Sequence, residues 1–518
     1  MKPPIFAERL STPRAGRFAA WCFGSATLLA PIGEIAWSLA HDRRPAIQDS
    51  LNDIAHRTDE LRVAFEDELH DASIVTQAML PRFQQWSTAF FGASNRKVVG
   101  GRDGWLFLRD DLDSALGVSV LAPGRAGPAA LVVIADFRDQ LEQRGIELLL
   151  VPVPGKEVAD PGRLSSRSTS ITSAPNPGFA ELYARLDELR IRHVRVDELL
   201  NELRAAHPDT PLFLPQDTHW TPATMEAVAR RVAERTIELL GERPEDDGRL
   251  KRVPASLRGQ GDLVRMLGLA EPERLFPPME LTIERVIDGT TSAPVVPSLD
   301  ADVLLLGDSF TLVGSDASLG LGAGAGLAEQ LAFELKRPLD VIALPGGGAT
   351  AARAALARSS RRLATKQLVI WQWSLRMLGG AADDWRLVTI PDEEAEEAAA
   401  AHATVVGEIV EVTRIPARFD YAFCLATYEY RVLETLDGAV DGDHIWVAFP
   451  AIVDRKNTEA RSFDVGDRHR LVLEPLRNHY DLDRTAWMDD TGVEGRLWYP
   501  VEWRRASEGA EHGRESNR

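Results

Sequence analysis

The chain has 518 residues, more than one ordinary domain holds, so we expect two folded units joined by connecting segments. Hydrophobic residues make up 44% of the chain and charged residues 26%, a composition that excludes a wholly disordered or fibrous protein. Lysine and arginine number 59 against 78 acidic residues, and the net charge is -19. Because this field repels phosphate backbones, no nucleic-acid partner is expected.

The N-terminal region has the pattern of a membrane segment. Residues 18–40 form a mainly apolar stretch with a single formal charge, Glu34. Basic residues precede this stretch at Lys2, Arg9, Arg14 and Arg17. A helix of that length, at about 1.5 Å per residue, reaches across a hydrocarbon layer about 30 Å thick. The basic flank keeps the start of the chain on the inner side. We therefore predict a signal-anchor within residues 1–45, with a cleaved signal peptide ending after residue 30 as the alternative.

The next segment, residues 46–98, is predicted to be a helical membrane-proximal region. Apolar residues recur there at roughly helical spacing among many charges. A glycine-punctuated turn at residues 100–104 then leads to Trp105 and Phe107 in a short strand, and this turn begins the main domain.

The main domain, residues 99–391, alternates between two patterns. Apolar runs without a polar side predict strands that are buried on both faces, at residues 146–153, 193–196, 303–306, 341–344 and 368–371. Helical spacing predicts helices at residues 179–189, 225–240 and 351–363. This alternation predicts the α/β class, with a parallel sheet flanked by helices. The proline-rich stretch 242–300 lacks clear periodicity and is interpreted as a long, lid-like insertion.

The C-terminal part changes character. An acidic, alanine-rich run predicts a linker over residues 392–403. Alternating β-branched and aromatic residues then predict a small all-β domain over residues 404–503. Its tryptophans, Trp446, Trp487, Trp498 and Trp503, either stack on glycan or fill the core. Residues 504–518 are polar and predicted to be a disordered tail.

The sharpest chemical signal follows the apolar run 303–306, which leads directly into Gly307, Asp308 and Ser309. A serine in this position stands at the carboxyl end of a strand, where open α/β sheets bind ligands. Glycine permits the sharp turn and the close approach of a substrate. Alternatively, Asp308 and Ser309 only cap the helix that follows.

A second signal is the pair Asp217 and His219, which lies just before a helix predicted to begin with Thr221 as cap and Pro222 in its first turn. A serine nucleophile needs an imidazole base, and that base needs a carboxylate on its other nitrogen. In an extended segment, side chains two residues apart leave on the same face. The pair can therefore supply both groups, although a metal site or a structural histidine is also compatible with this spacing.

Together these motifs resemble the SGNH hydrolase superfamily, specifically the alginate O-acetyltransferase AlgJ and AlgX type. In that family the Asp-x-His element precedes the Gly-Asp-Ser element, as it does here. Three further segments are similar to family motifs, and they lie at residues 101–108, 151–156 and 369–376. The resemblance spans residues 100–378 and implies an SGNH-hydrolase-like sheet.

The resemblance implies that Ser309 is the nucleophile, His219 the general base and Asp217 its orienting carboxylate. Gly347, in the glycine run 346–348, is a candidate second oxyanion donor, although the run also suits the start of a helix. No asparagine occurs between Asn201 and Asn457, so the side-chain amide usual in this superfamily is missing. Candidates to replace it or to bind substrate are Arg376, Gln372, Trp373 and Trp220, and the two tryptophans equally suit core packing. No metal or other cofactor is expected.

The function implied is O-acetylation of an exported polysaccharide through an acetyl-serine intermediate. The resemblance also implies an acetyl donor supplied by a membrane-bound O-acyltransferase, and a location at the inner membrane with the catalytic domain facing the periplasm. Two alternatives remain open from the sequence. One is a polysaccharide acetylesterase with the same triad, and the other is an anchored glycan-binding scaffold without activity.

Overall fold

A computed structural model of the chain describes residues 74–92, 94–164, 176–241, 247–391, 402–413, 415, 423–440, 442–454, 456–479, 482, 486–493 and 496–506. The predicted signal-anchor, most of the membrane-proximal segment, residues 392–401 of the linker and residues 507–518 of the tail lie outside this part. Within the described ranges, no helix combines the length and the apolar character that crossing a bilayer requires.

The chain divides into two compact units. In the first, helix α1 (Ile74–Phe91) lies beside residues 268–275. The backbone N–H of Ala270 donates to the carbonyl of Pro81 at 3.2 Å. The second unit comprises residues 93–267 and 276–518 and contains all of the sheets described below.

The second unit is centred on a parallel sheet, which confirms the predicted α/β class. Its N-terminal elements run in the order β1 (Val98–Gly100), β2 (Leu106–Leu108), α2 (Arg109–Leu116), α3 (Ala126–Glu142), β3 (Glu147–Val153), α4 (Lys156–Ala159), α5 (Pro161–Leu164), α6 (Pro177–Glu188), β4 (Arg192–His193), α7 (Val196–Ala206) and α8 (Pro222–Leu240). After an inserted ribbon come β7 (Val303–Gly307), α10 (Ser309–Leu312), α11 (Leu327–Leu335), β8 (Asp340–Ala343), α12 (Gly348–Arg358) and β9 (Leu368–Ser374). The sheet order is β4-β3-β9-β7-β8, with every pair parallel.

The apolar runs form strands because both sheet faces are covered. In β3, Leu148 and Leu150 pack into one hydrophobic cluster, with residues of α3, α6 and α12. Leu149 and Val151 pack into the other, with residues of α7, α8 and α11. Successive side chains of the strand therefore enter two different hydrophobic cores, and neither face of the strand needs polar residues. The strand predicted at residues 193–196 extends too far, because β4 ends at His193 and Val196 is the first residue of α7.

The stretch interpreted as a lid-like insertion contains regular structure that weak periodicity concealed. Strand β5 (Leu250–Gly259) pairs antiparallel with β6 (Met279–Asp288) in a two-stranded ribbon, and α9 (Asp262–Leu267) follows β5 directly. Both strands are largely exposed or half-buried, so neither carries the continuous apolar run that marks a buried strand.

The C-terminal region is all-β, as predicted. Its strands are β10 (Ala403–Val412), β11 (Phe423–Gly438), β12 (His444–Val453), β13 (Lys456–Asn457), β14 (Arg468–Pro475), β15 (Ala486–Met488) and β16 (Leu497–Arg505). The order β12-β16-β14-β10-β11 returns to β12, so five strands close into a barrel and leave no open edge between them. Arg504 and Arg505 were assigned to the disordered tail, but they belong to β16, where they pair with Arg470 and His469 of β14.

The barrel tryptophans divide between two clusters. Trp498 is buried in the barrel core, and Trp503 packs against it beside Phe463 at 4.9 Å. Trp446 and Trp487 pack against a smaller cluster around Leu425. The indole N–H of Trp487 donates to Thr427 at 2.7 Å. For these four side chains the packing favours the core-filling alternative over glycan stacking.

Candidate active site

Ser309 follows the carboxyl end of β7, as predicted, and is the first residue of α10. Asp308 is the helix cap: its Oδ1 accepts the N–H of Phe310 at 2.9 Å, and its Oδ2 accepts the N–H of Ser374 at 3.1 Å. The capping alternative is therefore correct for Asp308. Since Asp308 alone provides the cap, the Ser309 hydroxyl remains available for other contacts.

The turn is held tightly against neighbouring structure. A Cβ atom on Gly307 would lie 2.0 Å from Oγ1 of Thr311, so a side chain at position 307 would displace α10. The Oε1 atom of Gln372, in β9, accepts the N–H of Asp308 at 3.1 Å and the hydroxyl of Thr311 at 2.8 Å. Gln372 was a candidate for the oxyanion hole, and its oxygen holds the turn that carries Ser309.

Asp217 and His219 lie in the loop before α8. The N–H of Leu214 donates to the carbonyl of His219 at 3.0 Å, and this bond closes the loop. Thr221 caps α8 by accepting the N–H of Thr224 at 3.3 Å, and Pro222 is the first helical residue, both as predicted. The start of the helix therefore fixes the direction in which the two preceding side chains leave the backbone.

The three residues form a continuous chain of hydrogen bonds. Oδ1 of Asp217 lies 2.6 Å from Nδ1 of His219, and Nε2 of His219 lies 2.8 Å from Oγ of Ser309. An ionised carboxylate only accepts hydrogen bonds, so Nδ1 carries the ring proton and Nε2 is left to accept from the serine hydroxyl. The structure therefore brings the predicted triad together in the geometry of a nucleophile, a base and an orienting acid.

Burial and charge shift the pKa values of Asp217 and His219 in opposite directions. Burial by itself raises the pKa of Asp217, but the neighbouring imidazole and the N–H donors outweigh it and hold that pKa well below its usual range. Burial by itself lowers the pKa of His219, and the adjacent Asp217 carboxylate outweighs it, so the pKa of His219 is raised. At neutral pH the carboxylate is ionised and His219 is a stronger base than an ordinary histidine.

Asp262, at the start of α9, is a site residue that the sequence analysis did not identify. Its N–H donates to Oδ2 of Asp217 at 2.8 Å, and its Oδ1 accepts the N–H of Thr218 at 2.7 Å. The only sequence signal is the pair Gly261-Asp262, which lies in the stretch interpreted as an insertion.

The metal-site alternative also involves Asp262. Asp217, His219 and Asp262 each offer a ligand atom within 4.8 Å of one another. However, N–H donors already occupy both oxygens of Asp217 and Oδ1 of Asp262. This hydrogen bonding favours the triad over a metal-ligand set.

Lys156, the lysine of the family-like segment 151–156, supports the same loop. Its buried ammonium donates to the carbonyls of Leu106 at 2.7 Å and Pro215 at 3.3 Å, and it thus joins β2 to the segment that leads into Asp217. Burial lowers the pKa of Lys156 to about 8, against the opposing effect of carboxylates including Asp217. A lysine at this position is therefore structural.

Among the predicted substrate-binding residues, Arg376 is the one that carries a charge. Its guanidinium carbon lies 5.8 Å from the ring centre of Phe310, the residue after Ser309. Its Nη1 is 3.3 Å from Oδ1 of buried Asp111. Burial lowers the pKa of Arg376, but Asp111 and Asp308 outweigh it and the net pKa is raised, so the guanidinium stays charged. The charge is fixed beside the serine turn.

The other predicted substrate-binding residues are placed differently. Trp220 is 2% exposed and packs edge-on against Phe310 at 5.0 Å, and Trp373 is 0% exposed and packs on Trp385 at 5.2 Å. A sugar ring needs an accessible indole face, so their burial favours core packing. Gly347 is the cap residue of α12, and a Cβ atom there would lie 2.7 Å from Cβ of Ala351. The glycine run 346–348 therefore forms the start of a helix, which was the alternative to an oxyanion donor.

A family model described as "SGNH hydrolase-like domain, acetyltransferase AlgX" matches residues 98–375, more than half of the chain. The chain is 28% identical over 228 residues to "Probable alginate O-acetylase AlgJ" of Pseudomonas aeruginosa, covering 43% of this chain and 55% of that protein. It is 27% identical over 232 residues to the protein of the same name from Azotobacter vinelandii, covering 43% of this chain and 56% of that protein. It thus spans about half the length of these curated relatives.

Solved structures also resemble this one. The O-acetyltransferase domain of Pseudomonas putida AlgJ aligns with a TM-score of 0.40 and 20% identity, over 54% of this chain and 92% of that one. Pseudomonas aeruginosa AlgX aligns with a TM-score of 0.38 and 17% identity, over 61% of this chain and 71% of that one.

Proposed function

The chain belongs to the AlgX family of SGNH hydrolase-like acetyltransferases, and we propose that it is a serine-dependent O-acetyltransferase that acetylates hydroxyls of an exported polysaccharide. The observation that carries the proposal is the hydrogen-bonded chain from Asp217 through His219 to Ser309. Relatives named as alginate O-acetylases support a polysaccharide acceptor. A scaffold without activity would not need this chain of contacts.

The first half-reaction forms an acetyl-serine. Nε2 of His219 takes the hydroxyl proton while Oγ of Ser309 attacks the carbonyl carbon of an acetyl ester donor. The tetrahedral intermediate then collapses, the bond from carbon to the donor oxygen breaks, and that oxygen leaves with the proton held on His219. Asp217 keeps the imidazole in the required tautomer and stabilises the imidazolium between the two steps.

The second half-reaction repeats these steps with a sugar hydroxyl. His219 removes the proton of the acceptor, whose oxygen attacks the acetyl carbon, and the Ser309 oxygen leaves and regains a proton from the imidazolium. With water as acceptor the same steps would release acetate, so the acceptor alone separates the transferase from the acetylesterase.

Negative charge develops on the acetyl oxygen in both halves. The backbone N–H of Ser309 is at the first position of α10, where no intrahelical acceptor exists, and we assign it as one oxyanion donor. The fixed guanidinium of Arg376 supplies the second stabilising group. In this proposal it takes the place of the asparagine amide that the sequence lacks.

The location and the partners are part of the same proposal. The mainly apolar residues 18–40, with basic residues before them, support a membrane anchor at the N-terminal end and a catalytic domain on the periplasmic side. At the inner membrane, a membrane-bound O-acyltransferase would deliver the acetyl group to Ser309. The exported polysaccharide would then take it up on the same side.

The test uses the full-length chain in detergent with an acetylated phenol as donor, with and without oligosaccharides of uronic acids and of neutral sugars. Mass spectrometry of the sugars, acetate measurement and detection of acetylated Ser309 distinguish the outcomes. Acetyl transfer to sugar that is lost in Ser309→Ala supports the proposal. Acetate alone would favour the esterase, and turnover equal in wild type and Ser309→Ala would refute a serine mechanism.

A further inference from the structure

Asp262 reaches the catalytic pair because a glycine precedes it. A Cβ atom on Gly261 would lie 1.9 Å from the backbone oxygen of Gln216, closer than any side chain permits. The backbone at residues 261–262 therefore lies directly against the loop that carries Asp217. This contact joins the inserted ribbon, through the end of β5, to the centre of the candidate active site.

The contact is reciprocal. The N–H of Asp262 donates to Oδ2 of Asp217, and the N–H of Thr218 donates to Oδ1 of Asp262. Since Oδ1 of Asp217 is bound to His219, both oxygens of that carboxylate are held from opposite sides. A carboxylate bound at both oxygens cannot rotate about its terminal bond, so the imidazole is held in one orientation.

Asp262 also places a second carboxylate beside the imidazole. Its Oδ2 lies 3.8 Å from Nδ1 of His219, and its side chain is only 14% exposed. The other charged groups that act on this region are Asp217, Lys156 and Arg376. Burial and the charge of Asp217 raise the pKa of Asp262 to about 6, so Asp262 is ionised at neutral pH.

We infer that Asp262 is a positioning residue: it fixes Asp217, and through it His219, and its charge stabilises the imidazolium that forms when Ser309 loses its proton. The inference rests on the proposed serine mechanism. It assigns the ribbon insertion a part in catalysis, because the end of β5 delivers the residue that completes the support of the triad.

The principal test is Asp262→Asn, which is nearly isosteric and keeps an oxygen able to accept the N–H of Thr218. The readouts are kcat/KM for an acetylated phenol and the rate at which phenylmethanesulfonyl fluoride modifies Ser309, each followed from pH 5 to 9. Loss of the negative charge lowers the pKa of His219, so we expect the acid limb of both profiles to move to lower pH by about one unit. A purely structural role would lower the rates without moving the limb.

The matched control is Asp288→Asn at the far end of the ribbon. Asp288 also accepts backbone N–H groups, from Thr290 and Thr291, but it pairs with Leu250 at the end of β5 remote from Asp262. Nine residues of strand separate the two ends, about 30 Å. This variant should have the wild-type profile.

A second variant keeps the carboxylate but moves it. Gly261→Ala pushes the segment away from Gln216, and we expect at least a tenfold slower modification of Ser309. Gly289→Ala is its control, because a Cβ there would meet the flexible end of Lys251, at 2.6 Å. Circular dichroism and thermal melting confirm that each variant is folded.

The outcomes separate this inference from the proposed function. If phenylmethanesulfonyl fluoride fails to modify Ser309 in the wild type, the serine mechanism is wrong and the inference falls with it. If the wild type is modified and Asp262→Asn keeps the wild-type pH profile, the proposed function stands and the role of Asp262 is refuted.

Discussion

The Oε1 atom of Gln372 accepts the backbone N–H of Asp308 at 3.1 Å, so one strand of the sheet holds the turn at the end of its neighbour. The same oxygen accepts the hydroxyl of Thr311 at 2.8 Å, on the first turn after Ser309. Gln372 is 1% exposed, and no water can replace these bonds without a change in the core. The position of Ser309 therefore depends on β9 as much as on its own strand.

The first prediction concerns this bond. Gln372→Met retains the shape of the side chain and removes the acceptor, leaving two buried donors unsatisfied. We expect a loss of roughly 1–3 kcal/mol of stability for each donor and a fall in kcat of about tenfold or more. Urea unfolding and steady-state kinetics measure both. Thr311→Val removes only one donor and should have the smaller effect, and equal losses in the two variants would contradict the assignment.

The second prediction concerns pH. His219 acts as a base only when neutral, and its pKa is raised above the ordinary histidine value of about 6.5. Activity should therefore be low below that pH and should rise through a midpoint above it. Asp217→Asn removes the main attractive charge, so the midpoint should move to lower pH while the plateau falls by about 10⁴-fold. A pH profile of kcat/KM is the measurement, and a midpoint that Asp217→Asn leaves in place would argue against this pair.

The third prediction separates charge stabilisation by Arg376 from its structural role. Arg376→Met should lower kcat by about a hundredfold and should also destabilise the fold, because buried Asp111 loses its ionic partner. In the double variant Asp111→Asn with Arg376→Met the Asp111 carboxylate is removed together with its cation, and we expect stability to recover while kcat stays low. Recovery of both stability and kcat in the double variant would mean that Arg376 acts only through packing.

The fourth prediction is a test of stability away from the site. Asp340 begins β8, at the end of the sheet opposite to Ser309, and is fully buried. Nε of Arg362 donates to its Oδ2 at 3.0 Å, and Nζ of Lys366 lies 3.3 Å from the same oxygen. Asp340→Asn removes the carboxylate that both buried cations contact and should cost about 3–5 kcal/mol of stability. Thermal unfolding should detect this loss while kcat measured at low temperature stays close to the wild-type value.

Most of the strands of the main sheet could be predicted from the sequence. The run 303–306 has no polar side because Leu304 and Leu306 enter one core and Val303 and Leu305 the other. The ribbon of β5 and β6 was missed because its strands are mostly exposed or half-buried, so they have no such run. The hydrophobic pattern of a sequence reflects which residues are buried. A largely exposed strand therefore produces almost no such pattern.

The sequence by itself determined the identity and order of Asp217, His219 and Ser309, because a strand end, a helix start and a spacing of two residues are local features. Only the tertiary structure decided what supports them. Asp262 meets Asp217 across 45 positions, and Gln372 meets Asp308 across 64. The burial of Trp220 and Trp373 was likewise decided by packing. Contacts between residues so far apart depend on how the layers pack, which local residue patterns do not encode.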